Sequence, residues 1–513
     1  MFWNALAVCT ARVEKKSPGD VTRGDTSLVR RSKQETMTIK TVAVLLLAGC
    51  MLLPAELQSQ DNFLKINAGF TGVAGTGQYA PFWLTANRNG KFLPERNAAA
   101  FELSVFAEAD TSSVFNYCFG LEAYARQGRN RDIWLHQLYA GITLYNIINL
   151  RAGIWEEEIG SLEPTLSSGS VIWSGNARPM PKIQLGTPGY VPVPLTRGYA
   201  EVSSLLAHGW FIDDRYVKNV LLHHKNIYIR LGGPLPVNIY YGFNHYAQWG
   251  GSSPDYEKPF PSDLNSYYRI FFNRAGDTDI PGTPQTWENN KFGNTLGSRN
   301  YGIDLIMNNM KAGVYMQDVF EDGSGLRRKN FPDGLWGGYL RLTDKPRLLQ
   351  AIVYEFLHTK DQSGPTHNDA DGNIIGGNDN YFNHAIYQSG WTHYGHTIGT
   401  PLITSPVYNG MKRFSELPAH RLHNNRVLAH HVGLEGSLGS QTWYRTLVTY
   451  ARNYGRHREP FLEVAEQLSL MLEITHRMPR GGLLMGVSFG ADRGGLYGNN
   501  IGFMLNVQKQ LVL

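Results

Sequence analysis

Apolar and polar positions alternate with a period of two through much of the chain after about residue 60. Between 101 and 109 the apolar phase holds Phe, Leu, Val and Ala, with mostly Glu and Ser between them. The same alternation recurs at 117–126, 140–144, 237–243, 301–307, 312–316, 340–342, 468–474, 485–489 and 503–513. Successive side chains of a β-strand point to opposite faces, so each run predicts a strand with one apolar and one mixed polar face.

The length of these runs separates two all-β architectures. A soluble sandwich has strands of about five or six residues and an outer face rich in Lys and Glu. Here the runs are longer, Lys is scarce, and Tyr and Trp cluster at strand ends, as in the aromatic girdles of membrane barrels. We predict an all-β fold: a transmembrane outer-membrane β-barrel of roughly 16–20 antiparallel strands, with long loops and a small plug. The alternating run up to Leu513 is the kind of final strand that barrel assembly machinery recognises.

In the uncharged segment from Pro234 to Gly251, the alternation predicts which side chains face lipid and which face the lumen. The side chains expected to face lipid are Val237, Ile239, Tyr241 and Phe243. Those expected to face the lumen are Asn238, Tyr240, Asn244, Tyr246 and Gln248. Trp249 should then reach the membrane interface before the Gly pair turns the chain.

Long irregular segments separate the predicted strands, and most are rich in Gly, Pro, Asn and Asp. They span 156–200, 250–300, 320–337 and 358–425. One of them has apolar residues at helical spacing from Leu264 to Phe272, and Ser262 precedes them as a candidate cap. We expect a short helix there.

The first 59 residues have the pattern of a leader rather than of a domain. Residues 1–36 are polar and without period, and we interpret them as a non-native or disordered extension. Residues 37–59 have the basic start and apolar centre of a signal peptide. Leu47–Cys50 also matches a lipobox, but the apolar run continues past Cys50, which favours an ordinary signal peptide. We assign 60–100 to a segment that enters the barrel or plug, and 101–513 to the barrel.

Charge and cysteine content exclude several classes of function. Residues 1–59 carry eight Lys/Arg and five Asp/Glu, so their removal lowers the formal charge from +5 to +2. Such a balance gives no argument for nucleic acid as a partner. Cys118 is the only cysteine after residue 59, so no internal disulfide is expected, and no Cys/His spacing is typical of zinc sites. No later apolar run approaches the ~20 residues of a membrane helix.

Two acidic segments look like candidate chemistry. Glu321 and Asp322 precede a Gly-Ser-Gly turn, but adjacent strand residues point to opposite faces, which favours a turn with ion-paired charges over an acid–base pair. Asp369 begins a segment that resembles a calcium loop. That pattern needs Gly and Glu where this chain has Ile374 and Asn380, so we interpret it as a polar loop.

The histidines and serines give no metal or nucleophile motif. The chain has 16 His, including adjacent pairs at 223–224 and 430–431, but consecutive side chains on a strand diverge. No GxSxG elbow or ordered Ser, His and Asp set occurs. We therefore expect no metal, no cofactor and no catalytic residues. A barrel enzyme acting on envelope lipid or glycan remains the third hypothesis, because a triad can assemble in space without a local motif.

Several segments resemble capsule assembly proteins of the Wzi family. They are Ala80–Leu84, His224–Tyr228, Tyr240–His245, Gln248–Gly251, Phe320–Leu326, Asp333–Trp336 and Gly377–Tyr381. The resemblance covers essentially residues 62–513. It implies a monomeric, non-enzymatic lectin in the cell outer membrane that holds capsular polysaccharide on the cell surface. The family's best-known members have a helical bundle as plug. Here residues 60–100 lack a helical pattern, so we expect a reduced plug or one supplied by an inward loop.

Loop residues are the candidates for ligand contact. Sugar C–H faces pack on aromatic rings, and sugar hydroxyls pair with carboxylates and guanidinium groups. Our candidate ligand-binding residues are Trp336, Trp391, Arg327, Arg328, Glu321 and Asp379. For any single Trp the alternative is an aromatic belt at the membrane interface. Capsular or another surface polysaccharide and outer-membrane lipid are the expected partners, and the alternative function is an outer-membrane channel for sugars or small solutes.

Overall fold

The computed structural model describes residues 64–108, 114–160, 162–274, 293–321, 323–343, 346–364, 367–368, 372, 374–410, 414, 417–479 and 482–512. The predicted extension, signal peptide and lipobox lie outside these residues, as do Asp322 and Asp369. The strands are β1 (Leu64–Thr76), β2 (Asn97–Glu108), β3 (Phe115–Gln127), β4 (Arg131–Leu144), β5 (Ile148–Ile154), β6 (Lys182–Gly186), β7 (Val191–Pro192), β8 (Ala200–Trp210), β9 (Leu221–Leu231), β10 (Val237–Trp249), β11 (Asn294–Met307), β12 (Met310–Phe320), β13 (Gly334–Leu342), β14 (Ala351–His358), β15 (His367–Asn368), β16 (Ile374–Gly376), β17 (Thr392–His393), β18 (His396–Thr397), β19 (Val427–Ser437), β20 (Thr442–Gly455), β21 (Pro460–Arg477), β22 (Leu483–Gly494) and β23 (Asn500–Val512).

Eighteen of these strands close into one antiparallel barrel. The wall closes where β1 pairs with β23, from Lys65 opposite Val512 to Thr76 opposite Ile501. β7 adds a short pairing beside β8, and β15 to β18 form two small hairpins apart from the wall. Because the barrel closes, its wall has no edge strand with unpaired backbone N–H and C=O groups, as a membrane-spanning sheet requires. The count confirms the predicted range, and β1 shows that part of the segment assigned to barrel entry is itself a wall strand.

Side-chain exposure alternates along the strands as predicted. In β10, Val237, Ile239 and Tyr241 are exposed by 46%, 52% and 39%, whereas Asn238 and Tyr240 are buried. Neighbouring strands continue the exposed apolar surface with Phe101, Ile133, Leu150, Ile227, Ile229, Ile303, Val314, Leu468, Val487, Phe503 and Leu505. Soluble proteins rarely expose so many large apolar side chains on one continuous surface, and these residues form the lipid-facing band of the barrel.

The helices are short. They are α1 (Phe82–Thr85), α2 (Leu264–Phe271) and α3 (Gly323–Leu326), with a 3₁₀ turn at Pro406–Tyr408. None of the helices in the described ranges is long and apolar enough to cross a membrane.

Helix α2 confirms the helix expected in the 250–300 segment and corrects two details. Its cap is Asp263 rather than Ser262, because the Asp263 carboxylate accepts a 2.9 Å hydrogen bond from the Ser266 amide. The helix also packs on the outside of β10, where Ile270 lies against Trp249. Trp249 is therefore only 2% exposed. The prediction that it reaches the membrane interface is wrong, because α2 covers it.

The two ends of the barrel differ in the length of their connections. We call the end that holds Leu64 and Val512 the terminus end. Most turns there are short, such as 308–309 between β11 and β12. At the opposite end, the loop end, the connections include 77–96, 155–181, 250–293 and 359–426. Outer-membrane barrels have short periplasmic turns and long extracellular loops, so the loop end is the outer end.

Three loop-end segments fold into the lumen, and we call them the plug: residues 77–96, 155–181 and 377–409. They contribute many of the most buried side chains, including Trp83, Leu84, Leu166, Ile172, Tyr381, Phe382 and Trp391. The segments bind one another, since Ser174 Oγ donates to the Gly399 carbonyl at 2.8 Å and Asn176 Nδ2 donates to Thr397 Oγ1 at 2.9 Å. Inward loops thus supply the plug of this barrel.

Candidate functional site

A buried carboxylate holds the plug to the wall. Glu355 on β14 is fully buried and accepts hydrogen bonds from Ser167 Oγ at 2.6 Å and from the Ser168 amide at 2.7 Å. Ser168 Oγ and the Tyr315 hydroxyl donate to the same carboxylate, each at 2.5 Å. Four donors on one carboxylate make strong charge-assisted contacts. Glu355 therefore acts as a structural anchor, with its oxygens fully engaged.

A cluster of charged side chains anchors the first plug segment. Ligand atoms of Glu122, His136 and Glu156 lie within 4.8 Å of one another, a grouping that could hold a metal ion. The Lys91 ammonium lies there instead, 2.8 Å from Glu122 Oε1 and 3.0 Å from Glu156 Oε1. His136 Nε2 is 2.8 Å from Glu156 Oε1. The lysine supplies the positive charge that a metal would otherwise bring.

The electrostatics of this cluster agree with that assignment. Burial disfavours charge on Lys91, but the carboxylates of Glu156 and Glu122 outweigh it and raise the pKa of Lys91. Burial likewise opposes ionisation of Glu156, yet Lys91 and His136 lower the pKa of Glu156 to about 2. The positive charge of Lys91 offsets the carboxylate charges around it, and these ion pairs hold segment 77–96 to the wall strands.

Aromatic rings fill the centre of the lumen. Trp173, His224 and Tyr246 stack with ring centroids 4.2 to 5.5 Å apart. Trp391 lies 5.6 Å from Tyr246 and donates its indole N–H to the Ile172 carbonyl at 2.7 Å. It is completely buried. These rings pack the plug and leave Trp391 no face for a ligand in this arrangement.

Three loops meet at the surface of the loop end. Tyr216 stacks on His420 with ring centroids 5.0 Å apart. The Tyr216 hydroxyl donates to Asp255 Oδ1 at 2.7 Å, and Gln388 Nε2 donates to Asp255 Oδ2 at 3.2 Å. Arg421 donates to the Gln388 side-chain oxygen. We call Tyr216, Asp255, Gln388, His420 and Arg421 the loop-end cluster.

The loop-end cluster combines uncharged rings with polar groups. The hydrogen bond to Asp255 and burial raise the pKa of Tyr216, so its phenol stays protonated. Burial and the nearby Arg421 lower the pKa of His420, so its ring is neutral at pH 7. Aromatic rings beside a carboxylate, an amide and a guanidinium can pack on C–H faces and pair with hydroxyls. That is the chemistry of a weak sugar contact.

Three of the predicted ligand residues lie near the β12–β13 connection. Arg327 is exposed, and Arg328 is 48% exposed while its guanidinium lies 3.3 Å from Asp318. Trp336 is on the outward phase of β13 and donates its indole N–H to the Pro332 carbonyl at 3.1 Å. Trp336 therefore has the position of an aromatic residue in the belt at the membrane interface, which is the alternative to ligand binding given above for any single Trp.

The other predicted residues have internal roles. Glu321 accepts a 2.9 Å hydrogen bond from the Phe382 amide, and Asp379 accepts one of 2.5 Å from Ser363 Oγ. Both carboxylates therefore shape the 359–426 loop, and Trp391 lies within the plug. The six candidates are distributed over the rim, the loops and the lumen. The loop-end cluster escaped prediction because Tyr216 and Gln388 reach Asp255 from 39 and 133 residues away.

The chain is similar to known proteins at the level of family and fold. A family model described as capsule assembly protein Wzi matches residues 85–403, more than half of the chain. The solved structure of Wzi from Escherichia coli, described as an outer membrane protein involved in group 1 capsule assembly and a carbohydrate-binding β-barrel, has a TM-score of 0.55 at 12% identity, covering 89% of this chain and 86% of that one. OccK5 of Pseudomonas aeruginosa has a TM-score of 0.46 at 7% identity, covering 88% and 98%. No curated protein matches the sequence significantly.

Proposed function

Because this chain belongs to the capsule assembly protein Wzi family, we propose that it binds capsular polysaccharide outside the cell and helps to attach or assemble capsule, without catalysing a reaction. The protein is an outer-membrane β-barrel. The observation that carries the proposal is the loop-end cluster, in which stacked Tyr216 and His420 lie beside carboxylate, amide and guanidinium groups at the outer end. We propose that it acts as a monomer embedded in outer-membrane lipid.

Weak contacts suffice for such a role. A polysaccharide repeats its unit many times, so each bound unit raises the local concentration of the next, and avidity grows without a deep pocket. The exposed Arg327 and Arg328 offer further contacts on the same end of the barrel. Retention of a polymer is therefore compatible with a shallow site of this kind.

A channel for sugars or small solutes is the second candidate. The plug argues against it, because its segments hydrogen-bond to one another and to the wall through Glu355 and the Lys91 cluster. A solute would have to displace these contacts. Conductance of the purified barrel in planar bilayers measures this directly. A large open-state conductance would favour the channel.

The test of the lectin proposal is a strain that lacks the protein and is complemented with variants. Tyr216→Ala combined with His420→Ala removes the stack, and Tyr268→Ala, an exposed ring on α2, is the matched control. Loss of about 1.5 kcal/mol of aromatic contact weakens polysaccharide binding by about tenfold. We expect capsule to be shed into the medium with the double variant and retained with the control.

Two outcomes would change the proposal. Unchanged retention with an assembled double variant would overturn the placement at the loop-end cluster. Absence of polymer in the deletion strain, in place of shedding, would indicate a role in export. Arg327→Ala with Arg328→Ala tests the neighbouring candidates, and Trp391→Ala should act through stability of the plug rather than through glycan affinity.

A further inference from the structure

The lumen toward the terminus end contains a cavity of 490 Å³. Its wall is formed by β2 to β6, β8 and β9, its outer roof by plug residues 155–160, and its inner side by the β6–β8 connection at 187–190. Cavities of about 300–1,000 Å³ are typical of small-molecule sites. A second cavity of 190 Å³ among the plug segments shares Glu158, Ile159 and Gly160 with it. The space is thus on the opposite side of the plug from the loop-end cluster.

The lining is dominated by neutral hydrogen-bonding groups. The amides are Asn116, Asn146, Asn149, Gln184 and Asn226, and Thr, Ser and Tyr residues add hydroxyls. Two polar atoms on the lining residues, Arg151 Nε and Gln184 Oε1, are buried without a hydrogen-bond partner. Buried polar atoms are usually satisfied, so groups of this kind indicate room for a polar ligand or water.

The charges of the cavity favour an uncharged ligand. Glu157 is ion-paired with Lys182, so neither offers a free charge. The Arg151 guanidinium lies over the Trp155 ring at 5.4 Å. The carboxylates of Glu108 and Glu158 also line the space, and a negatively charged ligand would be repelled by them. A polyol that both donates and accepts hydrogen bonds fits this lining better than an anion does.

We infer that this cavity binds a short uncharged saccharide that enters from the terminus end. The inference deepens the proposed function and rests on it for the ligand class, because it adds a second subsite on the periplasmic side of the same barrel. A polymer could then be contacted on both sides of the plug. The two subsites use different residues and can be tested separately.

Cys118 provides a reporter inside the cavity. It is a free thiol on the lumen face of β3, and its Sγ lies 3.8 Å from an Arg151 nitrogen. We would measure the rate at which N-ethylmaleimide modifies the full chain in detergent, with and without uncharged oligosaccharides of two to four sugars. Oligogalacturonate serves as the acidic control. Cys118→Ser gives the background from other thiols.

At ten times the dissociation constant, bound saccharide should slow modification of Cys118 by about tenfold, and oligogalacturonate should not. Ser203→Trp fills the cavity and should abolish the protection, whereas Ser203→Ala keeps the space and should retain it. Tyr216→Ala with His420→Ala should keep the protection as well. Should Ser203→Trp fail to assemble, the saccharide titration on the unaltered chain decides by itself.

The outcomes separate this inference from the proposed function. Failure of the oligosaccharides to protect Cys118 at concentrations that saturate whole-polymer binding would overturn the cavity and leave the lectin intact. Protection that persists in assembled Ser203→Trp, or that oligogalacturonate gives equally, would also overturn it. Protection without any effect of the protein on capsule retention would support the cavity and contradict the proposed function.

Discussion

Replacing Lys91 by methionine tests whether the ion cluster holds the plug. Methionine keeps most of the stem and removes the charge that lies 2.8 Å from Glu122, 3.0 Å from Glu156 and 3.9 Å from Glu102. At an effective dielectric constant of 20, unit charges 3 Å apart attract by about 5 kcal/mol. Desolvation offsets part of that, and removing one partner of a buried pair costs about 3–5 kcal/mol. We expect the free energy of unfolding to fall by about 4 kcal/mol.

The assay is urea unfolding in detergent micelles, followed by tryptophan fluorescence, with trypsin cleavage after Arg88 and Arg96, the sites of segment 77–96 that both chains share, as a local readout. Lys91→Met with Glu122→Gln is the matched control, since removal of both charges should recover part of the loss. Zinc adds a second test. Without the lysine, Glu122, His136 and Glu156 keep ligand atoms within 4.8 Å, so Zn²⁺ should stabilise Lys91→Met and leave the unaltered chain unchanged.

A loss below about 1 kcal/mol in Lys91→Met would refute the assignment of the cluster as an anchor, because surface ion pairs contribute that little. If zinc stabilises Lys91→Met and the unaltered chain equally, then Glu122, His136 and Glu156 bind the metal even when Lys91 is present. Either result would make Glu122, His136 and Glu156 a candidate metal site.

Three further predictions concern the plug. Burial lowers the pKa of His396 to about 3 from 6.5, so its contribution to stability is complete above pH 6.5 and declines as pH falls toward 3; the free energy of unfolding, measured by urea titration at each pH, should fall between about pH 6 and 4. Glu355→Gln should lower the thermal midpoint, with about 1.5–3 kcal/mol lost for each charged hydrogen bond removed. Gly399→Ala places a methyl group in steric conflict with the Val171 carbonyl and should loosen the plug, whereas Gly410→Ala, with open space around it, should not; hydrogen exchange of the plug amides measures both.

The strands could be predicted from sequence because every second side chain of a membrane strand faces lipid and must be apolar, which leaves a period of two in the sequence. In β10 exposed and buried residues alternate from Val237 to Gly242, whereas Asn244 to Trp249 are all buried, in part because α2 covers the outward side at Trp249. β1 (Leu64–Thr76) was missed as a wall strand because LKINAGFTGVAGT has few large apolar residues, so its pattern is faint. Its place is set by pairing with β2 and β23, which is tertiary information.

The candidate site could not be predicted in the same way. Trp336 and Trp391 look alike as loop aromatics, yet one is on the outward phase of a strand and the other fills the lumen. What separates them is the path of the 359–426 loop, which depends on contacts such as Glu321 with Phe382. The loop-end cluster is likewise built by residues from three loops, so no local spacing indicates it.

The plug contacts also set an order of events. Ser174 meets Gly399 across 225 positions of chain, and Thr165 Oγ1 donates to Glu435 across 270. Contacts between residues this far apart in sequence form slowly and at an entropic cost, and the plug segments are attached to wall strands that must first be in place. We therefore expect each new molecule to pass through a stage in which the barrel wall is closed but the plug is not yet packed in the lumen. We expect cells at peak synthesis to admit bulky antibiotics for a short time, and Gly399→Ala cells to admit them for longer.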